Sequence, residues 1–124
     1  MARLRRVVVP LSWMIVAGLG LAACGSAGAV NEARVACKQV NAALVLQHRS
    51  EAPGLTATER QNLAGRAMST LLASSSAAAQ ATSADGSWNV LQTTIQEAER
   101  VPLTNLVPAL TRICQVADSP TPYL

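Results

Sequence analysis

The chain has no phenylalanine, one tyrosine and two tryptophans in 124 residues, which excludes a core built on large aromatic side chains. The interleaved aromatics that stack unpaired bases are missing too. Histidine occurs once, at His48, and the three cysteines never approach a Cys-x-x-Cys spacing. A thioredoxin-like redox pair is thereby excluded, and a metal site made from Cys37, Cys114 and His48 lacks a fourth ligand. No glycine-rich phosphate loop occurs, so the commonest nucleotide-binding signatures are absent and no motif implies a cofactor.

Charge is sparse, at 14% of residues, and its formal total of +3 is misleading until the charges are located. Removing Arg3, Arg5 and Arg6 from the ten basic residues leaves seven, against seven acidic ones, so the chain from Cys24 onward is neutral. A protein that neutralises a phosphate backbone needs a basic surface, and none is available here, so nucleic acid is not an expected partner.

What the sequence does have begins at its amino terminus. Arg3, Arg5 and Arg6 are followed by residues 7–23, which carry no charge and are broken by Pro10, Gly18 and Gly20. Cationic residues resist translocation and an apolar run enters a bilayer, but 17 residues lie at the short limit for a stable span. The order is that of an export signal. It ends at Leu21-Ala22-Ala23-Cys24.

Those four residues resemble the lipobox of bacterial lipoproteins: an aliphatic residue three places before the cysteine, then two small ones. The resemblance covers about the first 24 residues. It implies a diacylglyceryl group on the Cys24 thiol and recognition of Leu21, Ala22 and Ala23 by a lipoprotein signal peptidase. Cleavage before Cys24 and palmitate-like acyl chains at the new amino terminus would follow. The membrane is then the expected partner, and the extracytoplasmic face of the bacterial cell membrane the expected location. An uncleaved membrane anchor is the competing reading. The Arg5-Arg6 pair leaves the export route open between general secretion and a twin-arginine pathway.

Assigning Cys24 to lipid leaves Cys37 and Cys114 as a pair in an oxidising compartment, and a disulfide between them is expected. It would close a loop of about 78 residues, for which the chain-entropy relation gives about 4.5 kcal/mol. That matters for a lean core. From Cys24 onward Leu, Ile and Val make 21 of 101 residues, near the rough 20% level at which order becomes doubtful, while alanine contributes 19.

Helical periodicity recurs through this part, and no run of alternating apolar residues suggests a strand. We expect an all-α fold: a small up-down bundle of about four helices with one disulfide, preceded by a signal peptide. Residues 1–23 form the signal, 24–30 a flexible tether, 31–117 the bundle and 118–124 a non-helical tail. Ala33, Cys37, Val40 and Leu44 share a face of a helix over about 31–49, ended by Pro53-Gly54. Thr56-Ala57-Thr58-Glu59 fits a capping box that opens a second helix, with Leu63, Ala67 and Leu71 on its stripe and an end near 82, after a serine-alanine run. A third helix over 88–100 aligns Trp88, Leu91, Ile95 and Ala98. A fourth over 103–117 aligns Leu103, Leu106, Leu110 and Cys114, with a kink or restart expected at Pro108.

No catalytic residue is assigned. A hydrolase would need His48 beside a nucleophile and an orienting carboxylate such as Glu51, and nothing in the spacing brings them together. Trp88 on an apolar stripe reads as core, and Glu97, Glu99 and Arg100 read as a solvated face. The expected role is a lipid-anchored, non-enzymatic interaction module that contacts an envelope protein or wall polymer. The alternative is a carrier holding a small apolar ligand or lipid between helices.

Overall fold

The computed structural model describes residues 26–123, and these form α-helices joined by short connections, with no strand among them. The helices are α1 (Ser26–Ser50), α2 (Ala57–Ala73), α3 (Ser75–Ala84), α4 (Asn89–Glu97) and α5 (Leu103–Asp118). A single 3-10 turn, Gly86–Trp88, leads into α4.

The path is up-down-up-down, with α2 and α3 together forming the second leg. The longest helix, α1, packs against α2, α3 and α5, while α4 closes the bundle between α3 and α5. A helix that packs against three others must let its neighbours approach closely, and its buried face shows how: Ala29, Ala33, Ala36 and Ala43 are buried alongside Cys37 and Val40. The adjoining α3 contributes Ala78 and Ala81 to the core, so much of the α1–α3 contact is alanine-lined. The serine-alanine run is thus helical and structural. Larger side chains complete the same core, where Leu71, Trp88, Leu91, Ile95 and Leu110 are all essentially inaccessible to solvent.

Each expected apolar stripe points inward. Ala33, Cys37 and Val40 are buried and Leu44 is half-buried; Ala67 and Leu71 are buried with Leu63 half-buried. Trp88, Leu91, Ile95 and Ala98 are all core, as are Leu103, Leu110 and Cys114.

Four boundaries differ from expectation. First, α1 starts at Ser26, so residues 26–30 are helix with Ala29 fully buried, where a flexible tether over 24–30 was expected. Small residues that look like a linker in isolation are what close packing against α3 requires. Second, the expected helix from the capping box to 82 runs to Ala84 but is interrupted at Ser74. The buried Ser74 hydroxyl donates to the Leu71 carbonyl and competes with the helical ladder there, which divides the leg into two helices. Third, α4 ends at Glu97, short of 100, with turns through Arg100. Fourth, α5 continues through Pro108 without restarting. Thr104, whose carbonyl loses its partner to the proline, is exposed, so water can serve it.

The connection after α1 is a tight one. Glu51 and Ala52 donate back to the carbonyls of His48 and Arg49, and Gly54 takes φ +84°, the left-handed conformation that glycine adopts without steric cost. On the far side of this turn the capping box forms as the sequence indicates. Glu59 N–H donates to Thr56 Oγ1 at 3.2 Å and Thr56 N–H donates to the Glu59 carboxylate at 2.8 Å. The Thr56 backbone hydrogen bond, aided by the hydroxyl, holds the Glu59 carboxyl below its ordinary range.

Candidate functional site

Two features of the described residues bear on function: a covalent clamp across the bundle and a groove at one of its ends. The clamp joins Cys37 to Cys114, with Cα atoms 5.3 Å apart. Cys37 sits near the middle of α1, because that helix begins earlier than expected, and Cys114 lies in the last turns of α5. The same register continues one turn on, where Arg34 Nε donates to the Ala117 carbonyl at 2.8 Å and its Nη2 to the Ser119 carbonyl at 3.2 Å. Positions 37 and 34 of α1 thus meet 114 and 117 of α5, and the two helices run antiparallel. Arg34 acts as a C-terminal cap supplied from another helix, placing a cation where unpaired carbonyls carry partial negative charge. Nothing in the periodicity of α1 signalled this, since Arg34 lies just outside the apolar stripe.

The groove has a volume of about 510 Å³. Its floor is the first turns of α1, through Ala27, Val30, Asn31 and Arg34. One wall is the turn between α3 and α4, at Asp85 and Ser87; the other is the tail, at Pro120, Pro122 and Tyr123. Asp85 accepts from the Ser87 backbone N–H at 3.0 Å, and that bond keeps its carboxyl below the usual aspartate range. The two charged groups of the groove are therefore engaged with backbone, Arg34 on α5 and Asp85 on its own turn.

The other residues singled out from the sequence lie elsewhere. His48 is exposed near the end of α1, and Glu51, its nearest candidate orienting carboxylate, instead accepts from Gln47 Nε2 at 3.0 Å. Trp88 is a core residue, 1% exposed. Glu97, Glu99 and Arg100 are exposed together. Among the described residues no three His, Cys, Asp or Glu side chains converge as metal ligands, and no helix is long and apolar enough to cross a membrane. Leu21, Ala22, Ala23 and Cys24 lie outside the described residues.

The fold defines a class, a small all-α bundle clamped by one disulfide. Comparison of the chain with protein-family models, with curated proteins and with solved structures returns no match.

Proposed function

We propose that this protein is a lipoprotein of the bacterial cell envelope, anchored through Cys24 at the extracytoplasmic face of the membrane, whose helical domain acts by contact rather than catalysis. The observation that carries the reading is Leu21-Ala22-Ala23-Cys24 at the end of an uncharged run that follows three arginines. A bonded Cys37–Cys114 pair suits the oxidising side of a membrane and supports the same location. The domain follows Cys24 almost at once, since Ser26, two positions on, is already helical. Such an arrangement confines the bundle to the membrane surface and raises its effective concentration for neighbouring proteins or wall polymers. The groove lies at the end of the bundle, open and edged by Arg34 and Asp85, and so lends no support to an apolar carrier.

Growth with labelled fatty acid tests the anchor directly. The wild-type chain should take up label and yield a mature mass lacking residues 1–23, while Cys24→Ser should remain unlabelled and uncleaved. An unlabelled wild-type chain that begins at Met1 would refute the reading. Crosslinking in intact cells should then recover one reproducible envelope partner, and its absence across growth conditions would count against an interaction role.

A further inference from the structure

The groove end of the bundle, where α1 begins, the α3–α4 turn passes and the tail finishes, has no part in the reading above. Yet it is the end closest to Cys24 along the chain. Three residue steps separate Cys24 from Ala27 on the groove floor, a reach of at most about 11 Å for an extended backbone. By contrast, α1 rises about 37 Å from Ser26 to Ser50, carrying the α1–α2 turn to the opposite end.

We propose that the groove end is the membrane-facing surface of the protein, with Tyr123 seated in the lipid headgroup layer and α1 standing up from it. This rests on the lipid anchor at Cys24. A span of at most about 11 Å cannot bring the far end of a 25-residue helix to the bilayer unless the whole helix lies flat. Tyr123 supplies the second observation. It is 83% exposed, the most exposed large apolar side chain among the described residues, and it stands beside Pro120 and Pro122 at the groove edge. A tyrosine with an apolar ring and a polar tip is suited to a membrane–water interface. Its position is not arbitrary either, because Arg34 ties the Ser119 carbonyl to α1 and Tyr123 N–H donates to the Thr121 carbonyl at 2.9 Å.

Charge does not drive the contact. Glu32, Asp85 and Asp118 lie toward this end, and Arg34 is already engaged on α5 carbonyls. The short covalent link supplies the attraction, so neutral phosphatidylcholine should suffice as the surface.

The test uses the acylated mature protein, beginning at Cys24, extracted from membranes and reconstituted into phosphatidylcholine vesicles with shallow brominated acyl chains. One added tryptophan is placed at Tyr123→Trp and, in a separate protein, at the exposed Gln61→Trp in the opening turns of α2, at the opposite end of the bundle. Intact mass establishes acylation of each sample. Bromine quenching should cut the emission added at position 123 at least about twofold and leave that at 61 unchanged. In the parent protein, vesicles should also slow hydrogen exchange over residues 26–31 but not over 54–60. An acylated protein quenched equally at both sites, or more at 61, overturns the orientation while the anchor stands. A sample carrying no acyl mass overturns the anchor and the orientation with it.

Discussion

Arg34 links the ends of α1 and α5 through two hydrogen bonds to carbonyls that no helical amide can reach. Replacing it with methionine keeps the aliphatic stem but leaves those acceptors to water. We expect Arg34→Met to lower stability by about 1 kcal/mol, read as a shift of the urea midpoint at unchanged slope. Thr56 has a comparable role at the start of α2, and Thr56→Ala should also cost about 1 kcal/mol. The partner carboxylate gives this cap a pH signature. Because the folded state holds Glu59 below its ordinary value of 4.5, the stabilisation is complete above that value. It is lost as pH falls through the lower, folded-state pKa. Asp85, held down by Ser87, acts in the same direction. Urea midpoints measured from pH 6 to 3 should therefore fall less steeply for Glu59→Gln than for the wild type, and identical slopes would show that the charge of the Glu59 carboxylate does not stabilise the fold.

At the scale of elements, α1 is the piece on which the rest is assembled, and its buried face is made of alanine because three helices crowd it. A larger side chain there has nowhere to go. Ala33→Leu should destabilise by about 1–3 kcal/mol through overpacking, although leucine is an excellent helix former. On an exposed face the same change would be neutral, so a stable Ala33→Leu protein would show that α1 is packed more loosely than described. The turn that follows α1 depends on Gly54 for a different reason. No atom would obstruct a Cβ there, so the penalty of Gly54→Ala comes from φ +84° alone. We expect about 1 kcal/mol, measured by thermal or urea unfolding.

Across the whole molecule, one covalent bond complements a small core. Cys37 and Cys114 are separated by 77 positions, so the bridge restrains most of the unfolded chain. Replacing both by serine, or reducing the bond, should cost about 2–5 kcal/mol, a large share of the 5–15 kcal/mol typical of a domain. Far-ultraviolet dichroism with and without reductant at 37 °C measures it, and equal unfolding curves would make the bond incidental to the fold. The bond also ties α5, which carries the tail and one wall of the groove, to the middle of α1. Reduction should accordingly loosen the groove end before the α1–α2 turn, which hydrogen exchange can resolve by segment.

By itself the amino-acid sequence determined the helical class, the pairing of Cys37 with Cys114, the capping box at Thr56 and the inward faces of Leu71, Trp88, Leu91, Ile95 and Leu110. Each of these rests on simple chemistry: a 3.6-residue period, two thiols left to pair once Cys24 is set aside as the expected lipid site, or a hydroxyl three positions before a carboxylate. Tertiary structure alone decided that residues 26–30 join α1, that the second leg is interrupted at Ser74 and that α5 runs unbroken through Pro108. It alone brought Arg34 to the end of α5 and made a groove beside it. Ile113 and Ala117 likewise entered the core without being singled out from the stripe. For residues 26–30, Ser74 and Ala117 the physical reason is a common one. Alanine, glycine and serine carry too little apolar surface to mark a buried face in one helix, and their burial is settled by which neighbour lies across from them.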